Sequence, residues 1–255
     1  MANYNTESTY PSLSFEYPKL DDPRLAELRS LAIIELDDRM GELSNISTVI
    51  GFAHGLFTHD GKNNPSANDA VTILKEARAG QSFRCVEYSL LAVGLLWANG
   101  ITARTIGLKT VDVETREYGA GHVVIEFWSK DFNKWVMSDV QAGIIPRSGD
   151  IPLSALELGQ VIDRDAALDF TPVVNSRFDA NQAYSEALSY ADWIKEYLYF
   201  IDTPKHLTLA HKNMAAEQIV MLVPLGVTNP KSFQSMFDMN AIYTNNVPDF
   251  YSIVQ

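Results

Sequence analysis

One cysteine stands in this chain of 255 residues: Cys85, within GQSFRCVEYSLLAVGLLWANG (80–100). A lone cysteine closes no intramolecular disulfide, and metal sites built from several cysteines are ruled out. What it can do is attack a carbonyl carbon as a thiolate. Cys85 falls where an apolar helix is expected to begin. A helix N-terminus carries about half a positive charge, which favours the thiolate, and Arg84 before it would add positive potential. Free cysteine is also among the most buried residue types and is commonly inert packing. The nucleophile reading therefore needs a base, and the base needs a group to orient it.

The chain has five histidines, His54, His59, His122, His206 and His211. His122 stands apart. In YGAGHVVIEFW it opens an apolar strand, after glycines that leave room around the ring. If SKDF (129–132) is a four-residue hairpin loop, Trp128 faces Asn133, Ile125 faces Val136 and His122 faces Asp139. Directly opposed side chains share a face, with Cβ atoms ~4.5–5.5 Å apart, so Asp139 would accept a hydrogen bond from the imidazole and fix its tautomer. A slip of one residue would bring Ser138 or Val140 there instead. Without Asp139, His122 reads as a satisfied core histidine. His54 and His59 are five apart and do not stack on one helical face, so no metal is read there, and no cofactor is expected.

Elements must hold these groups in place. Asp22 and Pro23 read as the cap and first residue of a helix, followed by leucines at helical spacing. A second helix is expected over NISTVIGFAHGLF (45–57), a polar loop over 58–69, and a third helix from Ala70 with Gly80 past its end. Residues 86–98 are apolar nearly all round, the mark of a helix buried on most faces. TARTIGLKTV, GHVVIEFW and KWVMSD read as strands. PLSALELGQVIDRDAALDF and QAYSEALSYADWIKEYLYF read as helices, HLTLAH (206–211) and QIVMLVPLGV as later strands, and the first twenty residues and the tail NNVPDFYSIVQ as coil. Helices first, strands next and a mixed C-terminal part define an α+β pattern. We find no repeat or linker that would justify cutting residues 1–255 into two domains.

Hydrophobic content is 46%, enough for a substantial core, and formal net charge is −12. That charge repels phosphate backbones and anionic membranes, so neither nucleic acid nor a membrane is expected as partner. Apolar runs such as Leu90–Ala98 are too short to span a bilayer. The N-terminus has no basic then apolar leader, so a cytoplasmic protein is expected.

FRCVEYSLLAVGLLWANGITARTIGL, GAGHVVIEFW and KWVMSDVQAG, in that order, resemble the core of the transglutaminase-like superfamily over about residues 80–142. The elements in common are a Cys opening a helix, Gly-Ile-Xaa-Ala-Arg after it, a His at a strand start and an Asp after a Trp-containing strand. HGLFTHDGKNNPS upstream, and DIPLSALEL and IYTNNVPDFY downstream, also resemble small bacterial members. The resemblance implies a papain-like α+β fold, with the nucleophile at the start of a buried helix packed on an antiparallel sheet. It implies a catalytic core over about 45–145, a C-terminal extension over about 150–255, and a Cys85–His122–Asp139 triad. The chain departs from the pattern at Ser82, Phe83 and Arg84, where many members carry a Trp or a Gly, and at Val123, where Ala-Trp is common.

The chemistry implied is acyl transfer from an amide or peptide carbonyl through a thioester. Water as acceptor gives a protease, amidase or deamidase, the expected class; a lysine amine gives a cross-linking transglutaminase; a third reading is a binding module on the same fold. The backbone N–H of Cys85 is one oxyanion donor. Gln81, His54 and His59 are candidates for the second, each of which also reads as a polar loop group. Trp193, Tyr197, Tyr199 and Phe200 read either as core or as the floor of a peptide cleft.

Overall fold

The computed structural model describes residues 3–7, 13–178, 183–209 and 215–252. The chain opens with four helices, α1 (Pro23–Leu31), α2 (Glu42–Gly55), α3 (Ala70–Arg78) and α4 (Cys85–Ala98). Three strands follow, β1 (Ala103–Lys109), β2 (Gly121–Ser129) and β3 (Lys134–Ser138). Next come β4 (Ile144–Ser148), β5 (Ile151–Pro152), α5 (Ala155–Asp163), β6 (Asp169–Pro172) and α6 (Ala183–Lys195). The C-terminal part holds β7 (Phe200–Pro204), β8 (Ile219–Leu222), β9 (Ser232–Phe233), β10 (Phe237–Asp238), β11 (Ala241–Thr244) and α7 (Val247–Phe250). The fold is mixed α+β, as expected.

Local chemistry starts α1 and α3 where the sequence says it should, whereas α2 begins three residues before the expected Asn45, after Gly41 and without a side-chain cap. The Asp22 carboxylate accepts from the Arg24 N–H, with Pro23 in the first turn, and Asp69 does the same for Thr72. Every residue of α4 from Glu87 to Ala98 is buried. The helix has no solvent side because α1, α2 and α3 pack on it from one direction and β1 and β2 from the other. Leu91, Leu95, Ile50, Ile73 and Phe127 meet in that core. At Gly94 a Cβ would lie 2.5 Å from that of Ala70, so the glycine lets α3 cross α4 at its start.

The main sheet has six strands in the order β11-β8-β7-β1-β2-β3. Only the β11–β8 pair is parallel; the others are antiparallel. The C-terminal strands thus continue the sheet begun by β1–β3. The face opposite α4 is covered by residues of α5, α6 and α7, with Leu158, Ile194 and Phe250 packed on Ile106, Val124 and Ile201.

Four further segments differ from the sequence reading. HLTLAH alternates like a strand, but its described residues 206–209 form none. Leu207 is buried through an irregular segment tied to the N-terminal arm, its N–H donating to Glu16 O at 2.7 Å; residues 210 and 211 lie outside the described set. The two long helical patterns each end early, at Asp163 and Lys195, and their last apolar residues enter strands β6 and β7. The tail contains α7, capped by the Asn246 side chain accepting from the Asp249 N–H at 2.9 Å, with Pro248 in its first turn.

Candidate active site

Cys85 is the first residue of α4, so its N–H is among those a helix leaves without an internal partner. Arg84, the cap residue, is not a free cation. Its guanidinium is held by the buried Glu87 carboxylate at 2.6 and 3.1 Å, and Glu87 also accepts the Arg84 N–H at 3.1 Å. The field expected from Arg84 is therefore compensated by Glu87, and the helix start supplies the positive potential.

His122 is the second residue of β2, and its Nε2 lies 2.7 Å from Asp139 Oδ2. Both side chains are buried. Asp139 takes Nε2, so Nδ1 is the other ring nitrogen, and Cys85 raises the His122 pKa through a hydrogen bond and through charge. Burial pulls the His122 pKa down, but the Asp139 and Cys85 charges outweigh it, and the pKa is pushed up to about 10. For Asp139, burial pushes the carboxyl pKa up, and the imidazolium, the Ala142 N–H and the Tyr190 hydroxyl more than offset it, leaving it below its ordinary value.

Asp139 reaches His122 by a different route from the one expected. The observed register pairs Trp128 with Trp135 and Ile125 with Ser138. The loop is residues 130–133, with Asn133 at φ +50°. Relative to the expected pairing the strands slip by two residues. An even slip keeps every side chain on its face, so Asp139 stays on the side of His122 but as a diagonal neighbour. The ladder has ended at Ser138. A tight turn then holds Asp139, its N–H donating to Ile144 O at 3.0 Å and its carbonyl accepting from Gly143 N–H at 2.8 Å.

That turn rests on His54. The His54 Nδ1–H donates to Val140 O at 2.8 Å, and Nε2 accepts from the Arg177 backbone and side chain at 3.1 and 3.2 Å. Burial lowers the His54 pKa below its ordinary value. Gly143, at φ +73°, leaves space that a Cβ would take from His54, whose Cε1 would be 2.8 Å away. Both His54 nitrogens are thus occupied, and His54 supports the turn rather than offering a donor to an oxyanion. His59 is exposed and lines, with His54, a second cavity. Gln81 is exposed and accepts from Asn63 at 3.0 Å. None of the three lines the cavity that holds Cys85.

That cavity, of about 380 Å³, is lined by Cys85 and His122 together with a Lys109–Asp202 ion pair and Phe233. Gly107 sits opposite Asp202 on the neighbouring strand, and a Cβ there would be 2.6 Å from the carboxylate. Burial, the largest cause, raises the Asp202 pKa. The sequence reading missed this pair and missed Tyr190. No local signal marks them, since their partners lie 93 and 51 residues away. Of the C-terminal aromatics, Trp193 stacks edge-on against His122 with centroids 4.9 Å apart, and Tyr197 follows at 6.2 Å.

Residues 38–140 match the transglutaminase-like superfamily. Among solved structures, a candidate cysteine protease from Cytophaga hutchinsonii is 16% identical, with a TM-score of 0.37 and 50% of this chain covered. The periplasmic domain of TgpA from Pseudomonas aeruginosa, solved with ethylmercury, is 20% identical, with a TM-score of 0.30 and 46% of this chain covered. The matches span 46% and 41% of those two chains, less than half of each. No curated protein matches this chain. No helix among the described residues is long and apolar enough to cross a membrane.

The pair carries a pH signature in stability. The folded His122 pKa of about 10 lies above the ordinary 6.5. Its contribution is therefore complete below about 6.5 and is lost as pH rises through about 10. Asp139 is depressed below 3.8, so its contribution is present above that value and lost as pH falls through the lower folded value. We expect the stability difference between wild type and His122→Asn, from urea unfolding, to shrink steadily from pH 6.5 to 10. A difference constant over that range would contradict the assignment.

Proposed function

We propose that this protein is a cysteine hydrolase acting on amide or peptide bonds, with Cys85 as nucleophile, His122 as acid and base, and Asp139 as orienting group. The observation that carries the reading is the buried 2.7 Å contact between His122 Nε2 and Asp139, with Cys85 at a helix N-terminus in the same cavity. The transglutaminase-like match supports the general kind, a cysteine enzyme. In the first half-reaction the Cys85 sulfur bonds to the carbonyl carbon. The carbonyl oxygen becomes an oxyanion facing the Cys85 N–H. The C–N bond breaks, and the leaving amine takes the proton held by His122. In the second half-reaction water gives its proton to His122 and its oxygen to the thioester carbon. The S–C bond breaks, releasing the acid and restoring the thiolate–imidazolium pair. Asp139 keeps Nε2 occupied throughout, so Nδ1 is the nitrogen that moves the proton.

The test is product analysis by mass spectrometry on a pooled library of peptides and peptide amides, with wild type and Cys85→Ala, and a labelled primary amine added. Wild type is expected to release acid products. Cys85→Ala is expected to release none while melting within about 2 °C of wild type, since the side chain differs by one sulfur atom. Wild-type turnover in that variant would end the proposal. Label incorporated in preference to acid release would replace water with an amine as acceptor.

A further inference from the structure

Asp139 is gripped from three directions. Its Oδ1 accepts from the Ala142 N–H at 3.0 Å. Its Oδ2 accepts from His122 at 2.7 Å and from the Tyr190 hydroxyl at 2.8 Å. The third grip comes from α6, beyond residue 140, where the superfamily match ends. An ionised carboxylate only accepts, so the tyrosine must donate. The Tyr190 ring is itself fixed, edge-on to Phe170 at 5.2 Å and tilted on Trp193 at 5.7 Å. Trp193 in turn packs on the His122 ring. One helix therefore touches both members of the pair, through a hydrogen bond to the acid and an aromatic face on the base.

We propose that Tyr190 is a positioning residue for the reaction: its hydroxyl locks the Asp139 carboxylate in the plane that presents Oδ2 to His122 Nε2. The proposal rests on the Cys85–His122–Asp139 reading above and assigns it a fourth member, supplied by the C-terminal part of the chain. Without the hydroxyl, Oδ1 is still held by the Ala142 N–H but Oδ2 is left to His122 alone, so the carboxylate turns more freely about Cβ–Cγ and orients the imidazole less firmly. The titratable groups that face Asp139 are His122 from β2, Tyr190 from α6 and, acting by charge alone, His54 from α2. Of the two direct partners, only Tyr190 can be altered without touching the reacting groups. Burial and the Asp139 charge raise the Tyr190 pKa well above its ordinary value, so it stays a donor across the working range.

The experiment is Tyr190→Phe, which keeps the ring and its packing. Its readout is the rate of Cys85 alkylation by iodoacetamide from the lowest pH at which the protein stays folded up to pH 9, beside wild type, His122→Ala and Asp139→Asn. The Tyr190 hydrogen bond lowers the Asp139 pKa. Its loss should therefore move the acid limb of the profile to higher pH, by on the order of one pH unit for a bond to a charged group. In an Asp139→Asn background the same change should have no effect on the profile. A purely structural role would lower the melting temperature and leave the limb in place. A His122-dependent rate with an unmoved limb in Tyr190→Phe overturns the role of Tyr190 alone. Equal rates in wild type and His122→Ala overturn the Cys–His reading itself, and this assignment with it.

Discussion

Replacing His122 with alanine is expected to lower peptide-amide turnover by about 10²–10⁴-fold, the usual worth of a positioned acid–base group. Two losses combine. The leaving amine no longer meets a proton donor, so the C–N bond must break toward a poor leaving group. The thiolate at the start of α4 also loses the buried imidazolium beside it. Alkylation of Cys85 at neutral pH should therefore fall along with turnover, a link that a purely substrate-binding role would not produce. The alanine variant also strands Asp139, a buried carboxylate then held only by the Ala142 N–H and the Tyr190 hydroxyl. Some destabilisation should follow. His122→Gln separates the effects, since its amide can donate to Asp139 but cannot carry a proton between thiol and amine. It should melt closer to wild type and be as inactive as His122→Ala. A glutamine variant with more than about a tenth of wild-type turnover would exclude acid–base work by His122, given the magnitude such work supplies.

The largest loss of stability is expected away from the reacting groups, at Arg104. This residue of β1 is 1% exposed and stands directly opposite Glu126 of β2. Its guanidinium donates to Glu126 Oε2 at 2.7 and 3.2 Å and to the Phe250 carbonyl at 3.0 Å. The rings of Trp135, Phe250 and Tyr251 close around it at 4.3, 4.9 and 5.2 Å. It ties β1, the strand that follows α4, to α7. Arg104→Met would fill much of the volume but leave Glu126 Oε2 buried and unpaired. Breaking one side of a buried pair costs about 3–5 kcal/mol, a fall in melting temperature on the order of 10 °C for a chain of this size. Glu126 Oε1 still accepts from the Ala155 N–H at 2.9 Å and the Tyr251 hydroxyl at 3.2 Å. Neutralising it while keeping that acceptor, in Arg104→Met/Glu126→Gln, should recover most of the loss. Thermal and urea unfolding of the two variants decide this. A double variant no more stable than the single would mean that the lost ring and carbonyl contacts dominate, rather than the stranded charge.

Much of the frame of this protein is written locally. Asp22, Pro23 and Asp69 start their helices because caps act over two or three residues. Cys85 falls at the start of α4 because a polar stretch gives way there to an apolar run. That run, apolar nearly all round, specifies a helix buried on most faces. His122 at the head of β2 was equally visible, from glycines on one side and alternating apolar residues on the other.

Partnership was harder to read. The pairing of β2 with β3 depends on which four residues turn the chain. The difference between 129–132 and 130–133 shifts every pair by two. The His122–Asp139 contact withstands the shift because side chains alternate with period two, and an even slip preserves the face. The short segment HLTLAH was misread because alternation over a few residues does not say whether an edge is available to pair with.

Only the tertiary structure decided how the site is finished. Tyr190 reaches Asp139 from 51 residues away, Arg177 reaches His54 from 123, and Asp202 enters the cavity from a strand of the C-terminal part. The types and order of the proposed reacting groups are properties of the chain itself, because helix starts and strand starts obey short-range rules. Their hydrogen-bond partners, and the charge each one carries, depend on which distant segments fold against them and exclude water. Those terms exist only once the core has closed.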